Sequence, residues 1–139
     1  IAERKFAQHG APVYAYIFTY ESQRIVPGTQ HIVGAAHAME IAYKFDLIQP
    51  LQTSTAGDPP PTATRTMMDT GQASVKTAKN MSEMWSTFAR TGRPGATGQP
   101  EWPPYDTTRR ATMLINADCK VVDDPFALER SLWERLEPA

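Results

Sequence analysis

Cysteine is almost missing from this sequence: Cys119 is the single one among 139 residues. An internal disulfide is therefore impossible, and a small buried thiol is its expected role. No uninterrupted apolar run approaches the roughly 18 residues that a membrane-spanning helix requires. No signal peptide opens the sequence either, so targeting signals of a longer parent would lie upstream. A strong charge of one sign is lacking as well. Lys and Arg number 14 against 15 Asp and Glu, a formal net charge of −1, which gives neither nucleic acid nor an anionic membrane a reason to bind. The adjacent pair Arg109-Arg110 reads as an exposed turn rather than a phosphate site. No internal repeat is visible.

What remains is a globular composition, 41% hydrophobic and 21% charged, long enough for one domain with an ordinary core. Proline is plentiful, at 12 residues, and its clusters at Pro59-Pro60-Pro61, Pro94, Pro100 and Pro103-Pro104 mark long loops. Residues 49–65 read as a flexible surface loop. Ile1 to about Gln8 reads as a helix stopped by Gly10. Val13 to Tyr20 is bulky on both alternating faces, as in a parallel-sheet strand covered on both sides. One such strand cannot make a sheet alone, and it would leave an exposed edge. Glu21 to Thr29 reads as a polar connection turning at Pro27-Gly28.

Further along, a long helix is predicted from about Gly71 to Arg90. Its Ala78, Met81, Met84, Trp85 and Phe88 form one apolar stripe, read as core, with Gly92 ending it and Pro94 barring continuation. Thr112 to Asn116 and Lys120 to Val122 read as short strands flanking a turn at Ala117-Asp118. Asp123-Asp124-Pro125 opens a final helix through about Leu136. That helix is expected to pack through Leu128, Leu132 and Leu136, with Trp133 beside them.

The chemistry centres on Gly34-Ala35-Ala36-His37-Ala38-Met39-Glu40-Ile41-Ala42-Tyr43-Lys44-Phe45. A histidine follows small residues and precedes an apolar, helix-like run from Met39 to Phe45. Held on such a loop, an imidazole that titrates near neutral pH can carry a proton in catalysis. Read alone, the pattern suits a structural histidine or a helix cap better. His37 and Glu40 also form a His-x-x-Glu pair, a spacing that can bind zinc. His31 lies six residues before His37, which does not bring it beside the pair on any regular helix, so no metal is expected. His9, next to Gly10 at a helix end, is explained by the helix dipole.

The segment does not stand alone. It closely resembles the histidine loop of the type-B carboxylesterases, an α/β-hydrolase family that includes bacterial p-nitrobenzyl esterases and cholinesterases. Ala11 to Phe18 resembles the late core strand before that loop. Met84-Trp85-Ser86-Thr87-Phe88-Ala89-Arg90-Thr91-Gly92-Arg93-Pro94 is similar to the family's long helix with its W-x-x-F-A-x-x-G-x-P ending. Pro100 to Asp106 matches the W-P-x-Y loop, and Met113-Leu114-Ile115 the strand after it. The likeness departs at Lys44, where an apolar residue is usual, and finds nothing diagnostic between Leu47 and Thr70.

The resemblance implies an α/β fold: residues 1–139 as the carboxyl-terminal portion of a carboxylesterase catalytic domain. It implies hydrolysis of carboxylic esters by a Ser, Glu or Asp, and His triad without a cofactor. His37 would be the catalytic base, Met39 would border the substrate pocket, and Glu40 would be a structural neighbour rather than the acid. No Gly-x-Ser-x-Gly occurs anywhere, and triad members in this fold follow the order Ser, acid, His. The nucleophile and acid are thus expected in an upstream portion of the same enzyme, the chain's main partner beside a small ester. Two other readings stay open. The family also holds adhesion proteins that keep the fold and lose the triad. The chain alone could instead be an inactive fragment that self-associates through its open strand edge.

Overall fold

The computed structural model describes residues 1–48 and 68–136. The loop expected at 49–65 lies outside them. In chain order the elements are α1 (Ala2–Phe6), β1 (Ala15–Phe18), β2 (Ser22–Ile25), β3 (Ile32–Gly34), α2 (Glu40–Lys44), α3 (Gln72–Thr91), β4 (Ala111–Ile115), β5 (Lys120–Asp123) and α4 (Ala127–Leu136).

β1 and β4 pair in parallel, Ala15 opposite Thr112 and Phe18 opposite Ile115, and β4 turns back into antiparallel β5. The sheet order is β1-β4-β5. β4 therefore has neighbours on both sides, and its Ala111, Thr112, Met113 and Ile115 are buried. The expected two-sided cover falls on β4, whereas β1 is half-buried and, among the described residues, pairs on one side only. Place in the sheet decides burial here, not side-chain bulk. β1 is also shorter than the expected Val13 to Tyr20. The Val13 carbonyl accepts from the Tyr105 N–H at 2.7 Å instead, which ties down the W-P-x-Y loop, and Thr19 N–H extends the pairing to the Ile115 carbonyl at 3.0 Å.

α3 supplies the other half of the core. Ala78, Met81 and Met84, three and then three residues apart, are fully covered, as are Met113 and Ile115 of β4. Each large side chain so buried contributes about 1.5–3 kcal/mol. The stripe fades toward the helix end, where Phe88 is 46% exposed. Gly92 stops the helix in the left-handed region, φ +73°, while its N–H donates to the Phe88 carbonyl; a residue without Cβ adopts this conformation without strain. Asn80 fixes the β4–β5 turn by donating from its side-chain amide to the carbonyls of Asn116 and Ala117, both at 3.0 Å. The Cys119 thiol is buried beside it and donates to the Asn116 carbonyl, and burial pushes its ionisation up. An inert thiol results. Arg109 and Arg110 engage Asp123 and Glu3 in ion pairs.

Three expectations need correction. The polar connection at Glu21 to Thr29 contains a strand: β2 and β3 form an antiparallel ribbon, Ser22 opposite Gly34, with Gly28 at φ +78° in its turn. β2 shows no apolar alternation because only Ser22 of it is buried. Helix α1 ends at Phe6, and His9 takes the left-handed conformation (φ 50°) expected of Gly10. Finally, α4 starts beyond Pro125, and none of its residues is buried. Leu128 and Trp133 are 82% and 65% exposed, so the predicted packing face stays largely uncovered among the described residues. What anchors the start of α4 is polar, the Arg130 guanidinium on the Asp124 carboxylate at 2.6 Å. No helix among the described residues is long and apolar enough to cross a membrane.

Candidate functional site

His37 sits on a tight turn between β3 and α2. The turn reverses the chain with two left-handed residues, Gly34 at φ +64° and Ala38 at φ +64°. At Ala38 the Cβ makes that conformation costly, by about 1–3 kcal/mol, so the surroundings must enforce it. Met39 does so from below. It is 3% exposed, its N–H donates to the Ala36 carbonyl at 3.2 Å, and its sulfur accepts from the Ala36 N–H at 3.3 Å. Next, α2 drives Ala42 and Tyr43 into the core. The Tyr43 ring packs on Phe18 and Tyr20 at centroid distances of 4.9 and 5.5 Å. The imidazole of His37 is exposed above this support and makes no hydrogen bond among the described residues.

The other named residues have partners of their own. The Glu40 carboxylate lies 3.8 Å from the Lys44 ammonium, which in turn stands 5.3 Å over the Trp85 ring. Lys44, where the resemblance leads to the expectation of an apolar residue, is thereby accommodated between a carboxylate and an aromatic face. Met39 is buried, 3% exposed. His31 lies on the β2–β3 turn, its N–H on the Thr29 hydroxyl at 3.1 Å, and His9 lies beside Phe6. Among the described residues no group of His, Cys, Asp and Glu is disposed to hold a metal ion.

Sequence reading missed a polar cluster around Asp69. The Tyr20 hydroxyl donates to Asp69 Oδ1 at 2.7 Å, and the Gln23 N–H donates to Asp69 Oδ2 at 3.0 Å. The Ser74 hydroxyl donates to the Asp69 carbonyl at 2.7 Å and lies 2.9 Å from the Tyr43 hydroxyl. With Ser74's one proton given to Asp69, Tyr43 is the donor in the latter bond. Burial pushes the Tyr43 hydroxyl up to about 12. Burial, then the Asp69 carboxylate, raises Tyr20 still further. Both phenols thus stay protonated, as donors must. Asp69-Thr70-Gly71 in the sequence signals a helix start, but nothing local links it to residues 20–43.

A groove of about 150 Å³ opens between β1 and α3, lined by Tyr14, Tyr16, Met84, Trp85, Phe88 and Trp102 with Pro94. None of these comes from the 34–45 segment. The buried Trp102 indole N–H finds no acceptor among the described residues.

Known proteins share this architecture. The structure superposes on a carboxylesterase of Geobacillus stearothermophilus with a TM-score of 0.65 and 31% identity, covering 91% of this chain and 23% of that one. It superposes on a PNB esterase with a TM-score of 0.67 at 22% identity, covering 95% of this chain and 23% of the other. In sequence the chain is 32% identical over 116 residues to an acetylcholinesterase of Gallus gallus, covering 82% of this chain and 13% of that protein. It is 31% identical to carboxylesterase 1E of Mus musculus over 139 residues, covering 98% of this chain and 21% of the relative. The chain thus spans between about an eighth and a quarter of the lengths of these relatives, and its mixed sheet with helices is that of a carboxyl-terminal portion of an α/β-hydrolase. The carboxylesterase family model matches residues 1–133, and the chain belongs to that family.

Proposed function

We propose that this chain supplies the catalytic histidine of a serine carboxylesterase. The observation that carries the reading is an exposed imidazole, His37, held above a buried support in a chain of the carboxylesterase family. In this reading His37 takes the proton of an upstream Ser hydroxyl as its oxygen bonds to the ester carbonyl carbon. It then returns that proton to the departing alcohol, and water repeats the cycle to free the acid. A carboxylate from the same upstream portion orients the ring, because Glu40 is engaged with Lys44. Met39 and α2 act as support beneath the loop. The isolated chain, without nucleophile, has only background activity and depends on the upstream portion or on self-association for full order.

The test uses the full-length protein and p-nitrophenyl butyrate. His37→Gln should reduce turnover by several orders of magnitude, about the scale of removing a triad member, whereas His9→Gln and His31→Gln should leave it near wild type. Equal losses at all three positions would refute the assignment. Since a triad needs only positioned donors and a base, chelators should not affect the rate. A parent lacking a fluorophosphonate-reactive serine would instead support a non-catalytic binding relative.

A further inference from the structure

We propose that Asp69 is the positioning residue for His37, holding both ends of the histidine loop to one point at the start of α3. This rests on the reading of His37 as the base. The loop has an entry, through β2 and β3, and an exit, through α2. On the entry side the Asp69 carboxylate takes the Tyr20 hydroxyl at 2.7 Å and the Gln23 N–H at 3.0 Å, and Gln23 lies in β2, next to the Ser22 that pairs with Gly34. On the exit side the Asp69 carbonyl takes the Ser74 hydroxyl at 2.7 Å, and Ser74 receives the Tyr43 hydroxyl at 2.9 Å. Tyr43 and Ser74 are both fully buried, so this link works without competition from water. The N–H of Gly71 on Asp69 Oδ1 at 3.3 Å fixes the carboxylate itself.

Such an arrangement answers a need that His37 creates. Its ring is exposed and makes no bond among the described residues, and Ala38 beside it sits at a costly φ of 64°. Within this chain the imidazole is placed through its backbone, which Met39 braces locally and whose two ends set where the loop as a whole is presented to the upstream carboxylate and nucleophile. A single residue that grips both ends sets their separation. Cutting either link should let the ring wander by an amount that reacting groups do not tolerate. None of these substitutions removes a ring from the Phe18, Tyr20 and Tyr43 cluster, so the expected loss is of aim rather than of folding.

The experiment compares wild type, Asp69→Asn, Ser74→Ala, Ser74→Thr, Tyr43→Phe and the Ser74→Ala/Tyr43→Phe pair in the full-length esterase. Active sites are counted with a fluorophosphonate, so that turnover is expressed per competent site. Ser74→Ala and Asp69→Asn should each lower kcat per site by about ten- to a hundredfold with KM nearly unchanged, and Ser74→Thr, which keeps the hydroxyl, should recover most of it. Ser74→Ala and Tyr43→Phe cut the same link, so the pair should lose no more than Ser74→Ala alone. A merely structural role would lower the number of competent sites and leave kcat per site intact, and that result overturns the proposal. So does full additivity within the pair. If His37→Gln abolishes turnover while Asp69→Asn and Ser74→Ala match wild type, the positioning role falls and the catalytic reading stands. If His37→Gln is as active as wild type, both fall.

Discussion

The buried hydroxyl of Tyr43 should make the stability of this protein decline in alkali in a way that one substitution can isolate. Burial raises its ionisation from 10.0 to about 12. The native state therefore holds this proton longer than the unfolded chain does. A raised pKa favours the protonated form, so its contribution is complete below pH 10 and is lost as pH climbs from 10 through 12. Integrated over that window, the loss reaches about 1.4 kcal/mol by pH 11. Tyr43→Phe removes the ionisation together with one hydrogen bond to Ser74, a bond worth about 1 kcal/mol net. The variant should thus be less stable than wild type by about 1 kcal/mol at pH 8. Near pH 11 the gap should close, because only the wild type has an ionisation at this position to lose. Urea unfolding followed by tryptophan fluorescence at pH 8, 9, 10 and 11 reads this directly. A gap that stays constant over the whole range would show that the Tyr43 hydroxyl is not buried as described.

Three further outcomes follow from the packing. Asn80→Ala strips the Ala117 carbonyl of its side-chain donor and leaves the Asn116 carbonyl with the Cys119 thiol alone, and should cost about 1–3 kcal/mol in urea unfolding. Gly92→Ala forces a Cβ into φ +73° and should cost about 1 kcal/mol, whereas Gly95→Ala, with open space around it and no positive φ, should change the melting temperature little. Leu132→Ser, at a position 51% exposed, should alter the stability of this chain by less than about 0.5 kcal/mol; a larger loss would mean that α4 packs against something after all.

The parts legible in the sequence are those set by local rules. Gly92 and Pro94 ended the long helix where the structure ends it, because a left-handed cap and a missing N–H act within one turn. Ala78, Met81 and Met84 declared their face by spacing alone. The His37 loop was legible through its resemblance to a family. By contrast, α4 has the spacing of a packed helix and buries none of its residues, since periodicity records that a face is apolar without recording what covers it. β2 was missed because three of its four residues face solvent, so no alternation marks it. Asp69 was invisible for a similar reason. The carboxylate's partners Tyr20 and Gln23 lie 49 and 46 residues away, while Ser74 meets the Asp69 backbone carbonyl, and a one-dimensional pattern cannot register a residue that bridges them.

The parallel pairing of β1 with β4 also fixes an order of events. Thr19 donates to the Ile115 carbonyl across 96 residues of sequence. A ribosome adding roughly 5–20 residues per second needs about 5–20 s to make that span. During this interval β1 has been synthesised and β4 does not yet exist. The β2–β3 ribbon can form meanwhile, and Phe18 can meet Tyr43, but the β1–β4 ladder must wait for β4. The sheet therefore closes only once β4 and then β5 have been made.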